Sequence, residues 1–141
     1  MSKNILIDTC YWIALFRKND TYHTDALVIN ECLSEHKVII PWPSLYEYLN
    51  TEFLDNPYVF TKFKKIILLS NVIRLPDNEY RENALSTFFG SNNLNRRLSL
   101  VDLIIREMIA DDKIKIHNLV TFNPKDFIDV CQKRNVEIFV G

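Results

Sequence analysis

In Ile5-Leu6-Ile7-Asp8-Thr9, within the first ten residues, an unbroken apolar run of three residues meets a carboxylate. With Asn4 it makes a four-residue stretch, 4–7, that reads as a strand buried on both faces, and such strands belong to parallel sheets covered by helices. Tyr11-Trp12-Ile13-Ala14-Leu15-Phe16 follows at once and is apolar all round, as a helix packed between layers must be. A charge at the C-terminal end of a buried strand lies where open parallel sheets place their ligand crevices. Asp8 is therefore the first candidate functional residue.

The rest of the chain repeats the alternation. Tyr22, Ala26, Ile29 and Leu33 form one helical face from about 21 to 35, and a second strand, Val38-Ile39-Ile40, stops at Pro41. Pro43 suits a first helical turn, and Leu45, Tyr48, Leu49, Glu52 and Phe53 continue the helix to about 55, where Asn56-Pro57 breaks it. Residues 58–70 predict a further helix and 72–75 a strand halted by Pro76. Asp77 is expected to cap a helix to about Phe89, and 90–95 has the composition of a loop. A helix over about 99–111, a strand over 116–120, a helix from Pro124 to Lys133 and a strand over 137–140 complete the pattern. The order predicts one domain over 1–141, a three-layer α/β/α sandwich with a mainly parallel sheet, and a first strand at its centre.

The totals bound this reading. A chain of 141 residues, 48% hydrophobic and 25% charged with only two glycines, can bury a core without disulfides or metal. The net charge of -1 excludes a strongly basic footprint but not a local patch. Cys10, Cys32 and Cys131 are an odd set without CxxC spacing, expected to be reduced and buried. His23, His36 and His117 lack ligand spacing and are expected at the surface. No apolar run approaches the ~20 residues that a membrane span needs, so a cytoplasmic protein is expected, with no membrane partner.

Three more carboxylates, Glu47, Asp102 and Asp126, stand where the chain enters predicted helices. Ser44-Leu45-Tyr46-Glu47 and Ser99-Leu100-Val101-Asp102 have capping-box form, and Asn123-Pro124-Lys125-Asp126 a looser one, so helix capping is a full alternative for each. Asp8 fits that alternative less well, because Thr9 is placed to cap the helix instead. With no lysine or arginine close behind it, a buried Asp8 needs a counter-charge. A divalent cation shared with the other acids would meet that need, and hard oxygen ligands favour Mg²⁺ or Mn²⁺ over zinc. Capping and metal binding are compatible, since a helix N-terminus both keeps a carboxylate ionised and aims it. With Cys10 two residues after Asp8, the acid pair of haloacid-dehalogenase-like phosphatases is missing, as are any Walker, GxGxxG or GxSxG pattern.

Taken in order, Ile5-Leu6-Ile7-Asp8-Thr9, Pro43-Ser44-Leu45-Tyr46-Glu47, Leu98-Ser99-Leu100-Val101-Asp102 and Val120-Thr121-Phe122-Asn123-Pro124-Lys125-Asp126-Phe127 resemble the motifs of PIN-domain ribonucleases. The resemblance spans nearly the whole chain and is nearest to VapC-type toxins of toxin-antitoxin pairs. It implies a Mg²⁺- or Mn²⁺-dependent endoribonuclease with Asp8, Glu47 and Asp102 around the metal. The fourth motif carries the remaining catalytic candidates, Asn123 and Asp126. A neutral Asn123 orients water or caps the last helix but adds no charge, which bears on any second metal.

The same resemblance implies an RNA substrate and a protein antitoxin. Lys62, Lys64, Lys65, Arg74, Arg96 and Arg97 are candidate phosphate contacts; Arg96-Arg97, beside a polar loop before Asp102, are the better placed, while Lys62, Lys64 and Lys65 read rather as solvated helix charges. Tyr46, Tyr48, Phe53, Tyr58, Phe60 and Phe63 exceed what one inward face hides, leaving surface for an antitoxin helix or a homodimer. Two other readings stand beside the toxin: a PIN-like scaffold that binds RNA or protein without cutting, and a housekeeping RNA-processing nuclease.

Overall fold

Ile5, Leu6 and Ile7 are at most 1% exposed, so the opening run is buried on both faces. In the computed structural model, which describes residues 2–90 and 98–139, this run is β1 (Asn4–Ile7). It pairs in parallel with β2 (Lys37–Pro41) on one side and β4 (Asn118–Val120) on the other. β3 (Val72–Leu75) and β5 (Glu137–Phe139) complete the edges in parallel, giving the order β3-β2-β1-β4-β5. The chain thus leaves the central strand toward one edge and returns to the other, which puts the switch point at the end of β1, beside Asp8.

Alternation along β1 splits the core between two faces. Ile5 and Ile7 point into a cluster with Trp12, Leu15, Ile29, Leu45, Tyr48 and Phe63, built on α1 (Thr9–Phe16), α2 (His23–Leu33), α3 (Trp42–Leu49) and α4 (Pro57–Ile67). Leu6 points the other way, with Ile39, Ile105, Ile109, Leu119, Phe127 and Cys131, under α6 (Leu100–Ala110) and α7 (Ile128–Arg134). A third cluster, Tyr80, Ala84, Leu103, Ile104 and Met108, joins α5 (Arg81–Gly90) to α6. The fold is the expected three-layer α/β/α sandwich, with every strand of the described sheet parallel. On the first face Trp12 makes edge contacts with Tyr11 at 4.9 Å and Phe63 at 5.1 Å, and Phe63 with Tyr48 at 4.7 Å. Such pairs add about 0.5–1.5 kcal/mol each beyond burial.

Several local expectations change. The helix expected to reach 55 stops at Leu49, and Glu52–Asp55 is a separate 3₁₀ turn. Asp77 lies a turn ahead of α5: its carbonyl accepts from Tyr80 and Arg81 N–H, and its carboxylate pairs with Arg81 at 3.2 Å. The last helix is divided into a 3₁₀ turn, Pro124–Asp126, and α7, which ends on Asn135 in the left-handed region at φ 56, a conformation asparagine tolerates. Cys131 is buried, but Cys10 is half-buried and Cys32 exposed; all three are free. The histidines are half-buried rather than superficial. His36 and His117 Nδ1 accept from Lys3 and Asn4 N–H, and His23 Nδ1 lies 2.7 Å from the Ala14 carbonyl. Among the described residues no helix is long and apolar enough to cross a membrane.

Candidate active site

Asp8 is the N-cap of α1, with extended backbone at φ -81, ψ 155, and its Oδ1 accepts from Thr9 N–H at 2.8 Å. The cap is thus Asp8 and not Thr9, because a strand that ends one residue earlier leaves Asp8, not Thr9, with the extended backbone a cap requires. The Thr9 side chain turns elsewhere. Its hydroxyl donates to Glu47 Oε1 at 2.7 Å, tying the end of β1 to α3. Asp8 Oδ2 accepts from the Thr121 hydroxyl at 2.9 Å and faces the Cys10 thiol at 3.5 Å. Thr121, fully buried, follows β4, and the register Ile7↔Val120 places it beside Asp8.

Glu47 arrives by a different route from the one its sequence implied. Ser44 is not a cap: the N-cap of α3 is Pro41, and Ser44 Oγ is buried inside the helix without a partner. Asp102 does match its motif. Ser99 caps α6 and its Oγ accepts from Asp102 N–H at 3.0 Å, one half of a capping box, which fixes Asp102 in the first turn of that helix. Three chain segments therefore present Asp8, Glu47 and Asp102 at the C-terminal edge of the sheet, two of them linked through Thr9.

No family model matches the chain, and no curated protein matches it. Among solved structures, VapC20 of Mycobacterium tuberculosis, a sarcin-ricin loop cleaving toxin, matches with a TM-score of 0.67 at 19% identity, covering 89% of this chain and 94% of that one. VapBC2 from Rickettsia felis, bound to a DNA fragment from its promoter, matches with a TM-score of 0.57 at 13% identity, over 96% of each chain. The chain has a VapC-like PIN-domain fold.

Within this PIN-domain fold the surroundings of Asp8 and Glu47 disfavour their charged forms. Burial pushes the Asp8 pKa up to about 6 against the hydrogen bonds from Thr121 and Thr9, and the charge of Asp102 raises it further. Glu47 is raised by desolvation and by Asp102, and lowered by Thr9. Glu47 is exposed as a residue, so its desolvation belongs to the end of the side chain that meets Thr9. Cys10 is driven up to about 12 by burial and by Asp8, so it is a neutral thiol and no nucleophile at neutral pH. Besides burial, the described groups that act on Asp8 are hydrogen-bond donors and another anion, with no cation.

By donor chemistry alone the site suits a hard divalent cation, since it offers carboxylate and hydroxyl oxygens with no cation among the described groups acting on Asp8. The spacing is open, for among the described residues no three His, Cys, Asp or Glu side chains stand close enough to hold an ion as they are. Asp102 is an electrostatic neighbour of Asp8 and Glu47 rather than part of a closed cage.

The fourth motif divides. Asn123 is exposed and its N–H donates to Thr121 Oγ at 3.1 Å, so it sits at the same wall as Asp8, but its side chain does not cap the following turn. Asp126 is 7% exposed, and its carbonyl accepts from Arg106 Nη1 at 2.7 Å. Arg106 also makes a two-pronged pair with Asp129 at 2.7 Å through each nitrogen, clamping α7 to α6. Arg96 and Arg97 lie outside the described residues. Lys62 and Lys65 rim a groove of about 900 Å³ between α2 and α4, away from the acids. Of the aromatics counted over 44–68, Tyr48 and Phe63 are buried and Phe53 packs on the core, while Tyr46, Tyr58 and Phe60 are 63%, 66% and 51% exposed. Sequence reasoning missed Thr9 and Thr121 as the residues that hold the carboxylates. The signal was each threonine's place beside a strand end, which gains meaning only once β1 and β4 are known to be neighbours.

Proposed function

We propose that the chain is a Mg²⁺- or Mn²⁺-dependent endoribonuclease that hydrolyses RNA phosphodiester bonds, acting as the toxin of a type II toxin-antitoxin pair in the cytoplasm. The observation that carries this reading is the buried Asp8 carboxylate, coupled to Asp102 and joined through Thr9 to Glu47, at the switch point of a VapC-like fold. Asp8, Glu47 and Asp102 would hold the cation. When bound, it supplies Lewis acidity at the phosphodiester and lowers the pKa of water. The chain's own groups do the rest. Thr9 N–H and the Thr121 hydroxyl fix both oxygens of Asp8, so that carboxylate needs little reorganisation. Glu47 is held at Oε1 by the Thr9 hydroxyl, which fixes its carboxylate as an oxygen donor to the cation. Asn123, at the wall formed by Thr121, orients water or phosphate. The start of α1 contributes partial positive charge toward the phosphate.

RNA cleavage by the wild-type protein should require Mg²⁺ or Mn²⁺, stop with EDTA, and be lost in Asp8→Asn and Asp102→Asn with the fold retained. Cleavage persisting in both variants excludes the assignment. The open spacing of the acids favours one competing reading, a non-cutting scaffold, which binds RNA equally well with EDTA present. The α2–α4 groove, apolar with Lys18, Lys62 and Lys65 at its rim, suits an amphipathic, acidic antitoxin helix. The exposed Tyr46, Tyr58 and Phe60 suit the same partner or a second copy of the chain.

A further inference from the structure

Beside the acids stands a pair of aromatic rings that the proposed chemistry does not use. Tyr22 and Phe122 are parallel to within 1°, with centroids 4.5 Å apart. Phe122 is 6% exposed and Tyr22 40%. Phe122 directly follows Thr121, the residue whose hydroxyl holds Asp8, and its N–H donates to Cys10 Sγ at 3.3 Å. The stack therefore begins in the wall of the acidic site and ends in solvent.

Tyr22 is also held in place. Its N–H donates to Asp20 Oδ1 at 2.8 Å, the next N–H, of His23, donates to the Asp20 carbonyl at 3.1 Å, and the His23 ring lies 2.7 Å from the Ala14 carbonyl. These bonds fix the backbone at Tyr22 while its ring rests on Phe122, so ordering the ring against a ligand costs little entropy. Covering Phe122 needs only apolar bulk, whereas an aromatic ring stacked on it and 40% exposed has a specific complement, the face of a nucleobase. A chain with a net charge of -1 gains more from such a contact than a basic protein would.

We propose that Tyr22, backed by Phe122, is a base-stacking subsite for a nucleotide flanking the scissile phosphate of single-stranded RNA. The inference rests on the ribonuclease reading above. Stacking accepts every base, so the subsite contributes affinity and strand placement more than sequence choice.

The test uses a short single-stranded oligoribonucleotide carrying 2-aminopurine, bound to the Asp8→Asn protein with Tyr22 intact, Tyr22→Phe or Tyr22→Leu. The intact ring and Tyr22→Phe should quench the fluorophore, and Tyr22→Leu should abolish quenching and weaken binding roughly tenfold. In the active protein Tyr22→Leu should raise KM more than it lowers kcat, with Tyr22→Phe restoring it. A Tyr22→Leu protein that binds and quenches as before, while the wild type still cleaves RNA with metal, overturns the subsite and spares the nuclease. Failure of Tyr22→Phe to rescue also overturns it, because the ring would not be the recognised feature. A wild type that neither binds nor cleaves RNA overturns both.

Discussion

Asp8 is 5% exposed, and its pKa of about 6 means that ionising it costs the folded protein free energy. In the unfolded chain the same carboxyl titrates near its ordinary value, so the folded state binds the proton more tightly. The metal-free protein therefore loses this stability as pH rises from about 4 through 6, and keeps it on the acid side. Asp8→Asn removes the penalty, and in EDTA at pH 7.5 it should be more stable than wild type by on the order of 2 kcal/mol, with the gain shrinking at pH 5. Thermal melts at the two pH values check this; a variant less stable than wild type at pH 7.5 contradicts the unpaired buried charge. Thr121→Val takes away the donor to Oδ2. It should weaken Mn²⁺ affinity by about tenfold or more, as loss of an outer hydrogen bond to a ligand does, read by calorimetric titration. The acids themselves were legible from their positions after strand and before helix. Their hydroxyl partners were not, because a threonine in a sequence carries no mark of which strand will lie beside it.

At the scale of elements, the apolar runs and proline breaks located all five strands of the described sheet: β1, β2 and β4 are buried on both faces and leave an unbroken hydrophobic signature, while the partly exposed edge strands β3 and β5 were read from their short apolar runs. Helix starts were read less well. Ser44-Leu45-Tyr46-Glu47 and Ser99-Leu100-Val101-Asp102 look alike, yet only Ser99 caps. Pro41 ends β2 and starts α3 without a spacer, which pulls Ser44 into the helix. Ser99→Ala should therefore cost about 1 kcal/mol and loosen Asp102, lowering kcat as well as the melting temperature. Ser44→Ala removes no hydrogen bond and should leave stability within about 0.5 kcal/mol. Equal losses in the two variants contradict this difference in capping. The Arg106 clamp on Asp126 and Asp129 was also hidden in the sequence, since its partners lie 20 and 23 residues away. Arg106 holds the Asp129 pKa down to about 2, so the pair contributes above the ordinary aspartate range and is lost as pH falls toward 2. Asp129 is largely exposed, so that contribution is small.

For the molecule as a whole, the sheet order follows from the central first strand, and it brings Asp8, Thr9, Cys10 and Thr121 together without any sequence proximity between β1 and β4. The alternation of elements was sufficient to predict the three layers. It could not foretell the groove between α2 and α4, which does not include the acids. The acidic edge on a chain of net charge -1 should repel RNA until cations bind, so affinity for a non-cleavable RNA should rise on adding Mn²⁺ and fall again with EDTA. Affinity indifferent to both supports the scaffold instead. The central claim, that the coupled carboxylates form a metal-dependent ribonuclease site, is met most directly by incubating total RNA with wild type and with Asp8→Asn, each with Mn²⁺ and with EDTA. Discrete cleavage only by wild type with Mn²⁺ is the predicted result; cleavage by Asp8→Asn, or by wild type in EDTA, contradicts it.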